Sequence, residues 1–109
     1  MAELEPSGNS NLAIEFSNDD LSNPTLKISG DIDISSVGDI KRTIEGIISS
    51  KPSAVTFDLS GVTFMDSSGI ALLLEVRQEV GRIVLRRPSR AVLLVLEAAG
   101  VAPLLGITQ

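Results

Sequence analysis

Histidine and cysteine are both absent from this chain of 109 residues, and tryptophan and tyrosine are absent as well. Without histidine, the chain lacks the commonest general base and transition-metal ligand of enzymes. Without cysteine, it has neither a disulfide nor a thiolate metal site, which is typical of proteins from reducing compartments. The sequence therefore predicts a cytoplasmic protein that is not an enzyme and that holds no metal or other cofactor.

Long apolar runs and basic clusters are also missing. The longest apolar run, residues 91–96, is far shorter than the roughly 18 residues that a membrane-spanning helix needs. The formal net charge is −5, whereas nucleic-acid binding depends on clustered Lys and Arg. We therefore expect no contact with a membrane or with nucleic acid. Residues 1–11 are polar and predict a flexible tail before a single domain over residues 12–109.

Aliphatic side chains must fill the core, because hydrophobic residues make up 43% of the chain and aromatic residues only 3%. Residues 12–16 and 25–29 alternate apolar and polar side chains, which is typical of strands with one face in water. The segment between them is rich in turn formers and contains Pro24, which keeps Asn23 extended. These features predict an antiparallel hairpin with a long loop.

The spacing of apolar residues changes to a helical period after residue 35. Either Ser35 or Ser36 is a suitable N-cap for this helix. Pro52 prevents the helix from continuing beyond Lys51. One stripe of the predicted helix is formed by five apolar residues: Val37, Ile40, Ile44, Ile47 and Ile48.

The next two elements are a strand and a helix. Residues 54–59 are rich in β-branched and aromatic side chains and predict an interior strand. A turn is expected at Ser60 and Gly61, where the strand pattern is interrupted. Residues 70–80 then predict a helix whose buried stripe is formed by Ile70, Leu73, Leu74 and Val80.

The last part of the chain repeats the strand-helix alternation. Residues 83–85 predict a short strand, and residues 91–99 predict a helix that Gly100 closes. Residues 101–107 supply a final extended segment. The order β-β-α-β-α-β-α-β predicts an α/β domain with a mixed sheet packed by helices.

Common site motifs do not fit the sequence. Asp31 and Asp33 begin like a calcium-binding loop, but Ser36 and Arg42 stand where that loop needs Gly and a bidentate Glu. The sequence has no glycine-rich phosphate loop, and a serine triad would lack its histidine. The two aspartates are better explained by a turn between a strand and a helix.

The most informative segment is residues 58–70, in which Asp66, Ser67, Ser68 and Gly69 open a helix. Helix N-termini carry unpaired N–H groups and the positive end of the helix dipole, so Asp and Ser are preferred caps there. In one interpretation, Asp66 or Ser67 only starts the helix. In the other, an exposed Ser is phosphorylated, which adds about −1.5 to −2 charge beside Asp66. The residues alone leave both interpretations open.

Residues 58–70, with the sequence DLSGVTFMDSSGI, closely resemble the phosphorylation segment of bacterial anti-sigma-factor antagonists in the STAS family. Residues 28–33, ISGDID, are similar to the end of the family's second strand. Residues 87–92, RPSRAV, together with Leu96-Glu97 and Gly100-Val101, are similar to a later family stretch. The resemblance covers nearly all of the folded region and implies the STAS fold.

The resemblance also implies a cycle of partner exchange. The unphosphorylated antagonist binds an anti-sigma factor, usually a GHKL-type serine kinase as well, and thereby releases a sigma factor. The kinase phosphorylates the first Ser of the segment, here Ser67, the two proteins separate, and a serine phosphatase resets the antagonist. Ser68 matches the second Ser. Asp33 matches a family position near the same rim, although a turn-forming role before the first helix explains it equally well.

Three features differ from the family pattern. Ala71 stands where many relatives have the second Gly of Gly-Leu-Gly, so it adds a methyl group to the expected docking helix. The family's last helix is expected to be absent. Leu93 and Leu94 replace the Lys or Arg of many relatives, which makes residues 91–96 apolar on all sides. Either another segment covers these leucines, or they form a patch for partner docking or a weak homodimer.

Taken together, the residues and the resemblance predict an antagonist that phosphorylation of Ser67 switches off. The alternative is a non-phosphorylated STAS scaffold module of a larger signalling or transporter-linked assembly. The predicted partner-binding residues are Asp33, Asp66, Ser67, Ser68, Gly69, Ala71, Leu93 and Leu94.

Overall fold

The computed structural model describes residues 12–17, 20 and 22–108, so the predicted tail over residues 1–11 lies outside the described residues. The observed order of strands and helices confirms the predicted order. None of the described helices is both long and apolar enough to cross a membrane. The elements are β1 (Ala13–Ser17), β2 (Thr25–Ile32), α1 (Val37–Ile48), β3 (Val55–Met65), α2 (Ser67–Val80), β4 (Ile83–Arg86), α3 (Arg90–Ala99), a short 3-10 helix (Ala102–Leu104) and β5 (Gly106–Thr108).

The five described strands form one mixed sheet in which they are arranged in chain order. β1 pairs with β2 in antiparallel fashion, with Ile14 opposite Ile28 and Phe16 opposite Leu26, so the predicted hairpin is confirmed. β2, β3, β4 and β5 are mutually parallel. Parallel neighbours end at the same edge of a sheet and need crossover connections. The carboxyl ends of β2 and β3 therefore lie side by side, where α1 and α2 begin.

The predicted stripe of α1 packs on the core. Ile40, Ile44 and Ile47 are buried, while Val37 and Ile48 are half-buried. Ser36 occupies the N-cap position, but its side chain makes no cap hydrogen bond. Its buried hydroxyl instead donates to the carbonyl of Asp31 at 2.9 Å and accepts the N–H of Asp33 at 3.0 Å. This serine therefore ties α1 to the end of β2.

β3 is longer than the sequence predicts, because the expected turn at Ser60 and Gly61 is wrong. The strand continues to Met65, and its register against β2 shifts between Lys27 and Ser29 and again after Gly30. Such β-bulges take up an extra residue without ending a strand. A Cβ atom on Gly61 would lie 2.5 Å from Ser29 Oγ. Gly61 therefore allows β2 and β3 to approach closely. Ser60 and Gly61, which resemble a turn in the sequence, are part of the strand.

The buried stripe of α2 is also displaced from the predicted one. Leu72, Leu73 and Val76 are buried together with Gly69. Of the four predicted positions only Leu73 is buried, whereas Ile70, Leu74 and Val80 are half-buried. The buried side chains follow Gly69 at i+3, i+4 and i+7, which is one helix face. The hydrophobic pattern does not single out this face, because residues 70–74 are all apolar and offer several faces of the helix.

One buried carboxylate, that of Asp58, holds the end of β4 against β3. It accepts hydrogen bonds from the N–H and hydroxyl of Ser60, at 3.1 and 2.8 Å, and from the guanidinium of Arg87 at 3.0 Å. Burial raises the pKa of Asp58, but the bonds from Ser60 and the charge of Arg87 outweigh that effect and lower the pKa overall. β4 pairs with β3 only as far as Asp58. Beyond this point β3 continues beside β2 alone among the described strands.

Candidate functional site

The carboxyl ends of β2 and β3 lie side by side at one end of the sheet. Ile32 and Met65 are register partners, and the N–H of Asp66 donates to the carbonyl of Ile32 at 3.2 Å. The turn into α1 and the start of α2 therefore lie next to each other. We call this surface the serine rim, and it consists of Asp31, Asp33, Ile34, Phe64, Asp66 and Ser67.

Asp66 is the N-cap of α2. Its backbone is extended, and its carboxylate accepts the N–H of Ser68 at 2.9 Å and also the Ser68 hydroxyl. Its carbonyl accepts the N–H of Gly69 at 3.0 Å. An Asp in this position satisfies donors that the first helical turn leaves unpaired, and its charge suits the positive end of the dipole. Of the two predicted helix starters, Asp66 is the cap, and this leaves Ser67 without a capping role.

Ser67 and Ser68 are adjacent, but their surroundings differ. Ser67 is exposed, and no described residue forms a hydrogen bond with its hydroxyl. Ser68 is half-buried, and its hydroxyl is engaged by Asp66. Successive residues of an α-helix are rotated by about 100° around its axis, so adjacent side chains leave in different directions. Of these two serines, only Ser67 presents an open hydroxyl at the N-terminus of α2.

Gly69 and Ala71 lie on different faces of α2. Gly69 is buried, and a Cβ atom there would lie 2.7 Å from Met65 Cγ and 3.0 Å from Ile32 Cγ2. Ala71 is exposed and follows Ser67 by four residues, which places both on one helix face. The structure thus puts Ala71 on the surface beside Ser67, whereas Gly69 lies beneath that surface. Their roles in partner binding stay predictions.

Asp33 forms the turn between β2 and α1. Its carboxylate accepts the N–H of Ser35 at 3.0 Å and the Ser35 hydroxyl at 2.6 Å. The hydrogen bond from the Ser35 hydroxyl is the main reason that the pKa of Asp33 is lowered. Asp33 also follows Ile32 directly, so it lies on the serine rim. The two interpretations of this residue are therefore compatible with each other.

Three other rim residues were not recognised as candidates from the sequence. Asp31 accepts a hydrogen bond from the hydroxyl of Thr63 on the neighbouring strand at 2.7 Å. Ile34 is 79% exposed and Phe64 is 49% exposed. An apolar residue among turn formers, as in residues 33–36, was a usable signal for Ile34. Phe64 gave no such signal, because the bulges in β3 obscure which of its residues face water.

Leu93 and Leu94 lie on a different surface. Leu94 is 53% exposed and Leu93 is half-buried, so α3 does carry a partly exposed apolar face. The N–H of Ser89, the N-cap of α3, donates to the carbonyl of Leu59. Leu59 precedes Met65 by six residues, which corresponds to roughly 20 Å of strand. The two leucines are therefore separate from the serine rim.

Comparison with known proteins places this architecture in a family. Residues 17–106 match the family model described as "Mlab, STAS domain". The chain therefore belongs to the STAS domain family.

Relatives of the chain include two kinds of named antagonist. An anti-sigma F factor antagonist of Lysinibacillus sphaericus is 30% identical over 83 residues, which is 72% of this chain and 71% of that protein. The anti-sigma-F factor antagonist RsfB of Mycobacterium tuberculosis is 30% identical over 59 residues, 54% of this chain. That second match spans 48%, about half, of the length of RsfB.

Solved structures show the same fold. The unphosphorylated anti-sigma factor antagonist SpoIIAA superposes with a TM-score of 0.77 at 24% identity, covering 89% of both chains. An anti-sigma factor antagonist from Mycobacterium paratuberculosis gives a TM-score of 0.80 at 19% identity, covering 88% of this chain and 84% of that chain. These similarities confirm the predicted STAS-like α/β fold.

Proposed function

We propose that this protein is an anti-sigma-factor antagonist controlled by phosphorylation of Ser67. In its unphosphorylated form it binds a cytoplasmic anti-sigma factor that is also a GHKL-type serine kinase, and this binding releases a sigma factor. Phosphorylation ends the complex, and a serine phosphatase restores the antagonist. The proposed role is regulatory binding rather than catalysis.

The observation that carries the proposal is the open hydroxyl of Ser67. A kinase must bring the γ-phosphoryl group of ATP in line with the accepting oxygen, which requires an approachable side chain on a rigid support. Ser67 is exposed at the first position of α2, and Asp66 holds that helix start in place. The names of the relatives, which are antagonists of anti-sigma F factors, support the same function.

The chemistry of the switch follows from charge. During transfer, the Ser67 oxygen bonds to the γ-phosphorus of ATP, the bond to ADP breaks, and the hydroxyl proton passes to a base of the kinase. The product carries about −1.5 to −2 charge and stands beside the Asp66 carboxylate. The phosphates of ADP lie on the other side, in the kinase. Like charges then face each other across the interface, so the complex separates.

A mass measurement tests this proposal. The protein is incubated with ATP and with each purified anti-sigma factor kinase of its own organism in turn. We expect an intact-mass gain of one phosphoryl group, and peptide mapping should place that group on Ser67. Ser67→Ala should stay unmodified, while Ser68→Ala should still be phosphorylated. A phosphoryl group found on Ser68 alone would contradict the proposal.

The exposed leucines of α3 carry a separate proposal, a weak homodimer. Leu94 is 53% exposed beside the half-buried Leu93, and the burial of such a pair in a contact between copies is favourable. We expect the double variant Leu93→Glu, Leu94→Glu to elute later than wild type in gel filtration at high protein concentration. Leu104→Glu is the matched control, since Leu104 is 50% exposed outside α3. Identical elution volumes for wild type and the double variant would contradict the proposed homodimer.

A further inference from the structure

We infer that Ile34 and Phe64 are the apolar anchors of the serine rim, and that they dock into an apolar pocket of the anti-sigma factor that basic side chains border. This inference rests on the proposed function, because that function supplies the partner. Ile34 is 79% exposed and Phe64 is 49% exposed. Large apolar side chains that become buried at the centre of an interface carry a large share of binding energy.

The exposure of Ile34 has an identifiable cause. It stands in the turn after β2, in which Asp33 accepts two hydrogen bonds from Ser35 and the Ser36 hydroxyl holds the carbonyl of Asp31. The polar residues around it are therefore tied to the backbone, and the isoleucine side chain is left in water. A turn that is held in this way loses little conformational entropy when a partner binds it.

Phe64 is exposed because successive side chains of a strand point to opposite faces of the sheet, and its neighbour Met65 is the one that packs under α2, against Gly69. The β3–β4 pairing reaches only Asp58, and at the far end Phe64 is the register partner of Asp31. The neighbouring Thr63 donates its hydroxyl to the Asp31 carboxylate at 2.7 Å. Phe64 is therefore next to the end of β2, from which Ile34 follows by two residues. The two apolar side chains lie at the same end of the sheet as Ser67.

The charge of the rim indicates the chemistry of the partner. The two segments that meet there, residues 28–40 and 59–76, contain no Lys and no Arg. Asp31, Asp33 and Asp66 each accept a hydrogen bond from a neighbouring hydroxyl, so their carboxylates are held in position. A surface of fixed carboxylates around two apolar side chains is complementary to an apolar pocket with a basic border.

Calorimetry with single-site variants tests the anchors. Each purified anti-sigma factor of the same organism is titrated into wild type, Ile34→Ala, Phe64→Ala and Phe16→Ala. Phe16 is the matched control, because it is also 49% exposed but pairs with Leu26 near the start of β2, roughly 20 Å of strand away from the rim. We expect Ile34→Ala and Phe64→Ala to bind at least tenfold more weakly than wild type, and Phe16→Ala to bind within twofold of it.

The outcomes separate this inference from the proposed function. If no anti-sigma factor binds wild type, the proposed function is wrong, and the inference fails with it. If wild type binds but both rim variants bind equally well, only the inference is wrong. If basic side chains border the pocket, the affinity of the anti-sigma factor for this protein should fall as the NaCl concentration is raised, because salt screens exposed charges. Affinity that stays constant or rises with salt would overturn the basic border.

Discussion

Ser67→Asp is expected to bind the anti-sigma factor at least tenfold more weakly than wild type, a loss of ~1.4 kcal/mol. The new carboxylate stands beside Asp66, so two negative charges are adjacent at the start of α2, and under the proposed function they would face the nucleotide phosphates of the kinase. Ser67→Ala should bind within twofold of wild type, because it removes the accepting oxygen without adding charge. Isothermal titration calorimetry against the same anti-sigma factor measures all three affinities.

The control for this prediction is a second Ser→Asp change far from the rim. Ser53 is exposed just before β3, whereas Ser67 follows the end of that strand. Ser53→Asp adds the same charge at the opposite end of the sheet, so its affinity should equal that of wild type. Asp at the first turn of a helix suits the helix dipole, so Ser67→Asp should remain folded. Equal binding by Ser67→Asp and wild type would disprove the charge mechanism.

Gly69→Ala is expected to lower the free energy of unfolding by about 1 to 2 kcal/mol. The added methyl group would lie 2.7 Å from Met65 Cγ and 3.0 Å from Ile32 Cγ2, which are too close for carbon atoms. Overpacking of this kind typically costs about 1–3 kcal/mol, while replacing a helical Gly by Ala gains only about 0.5–1 kcal/mol. The packing cost therefore outweighs the gain. Urea unfolding at pH 7 measures the difference.

Gly46→Ala is the control, because it is expected to raise the free energy of unfolding in the same experiment. Gly46 is exposed within α1, and a Cβ atom there would have no described atom within 4 Å apart from those of its chain neighbours and of the backbone of its own helix. Only the helix-propensity gain applies, so this variant should be more stable than wild type by about 0.5–1 kcal/mol. If Gly69→Ala were stabilised to the same degree, α2 would not be packed against Ile32 and Met65 as described.

Short-range sequence patterns predicted the elements of the fold, but not all of their limits. The hairpin, the stripe of α1 and the helix start at Asp66 depend on neighbours within a few residues, and each is seen in the structure. The turn expected at Ser60 was wrong because the pairing with β2 keeps the strand going through two bulges. The stripe of α2 was displaced because Gly69 lies at the closest approach to β3.

For the candidate site too, some features could be predicted from the sequence and others depend on the tertiary structure. The segment around Ser67 is visible in the sequence because its residues are consecutive, and the family resemblance depends on that order. Which serine is open depends on the hydrogen bond between Ser68 and Asp66 and on the rotation of α2 over the strands. Ile34 and Phe64 are 30 residues apart in the chain, and the parallel pairing of β2 and β3 brings them to the same end of the sheet. By itself the sequence determined the order of elements and the helix start, because both depend on local interactions. The tertiary structure decided which hydroxyl is accessible and which apolar side chains stay in water, because both depend on how the helices pack on the sheet.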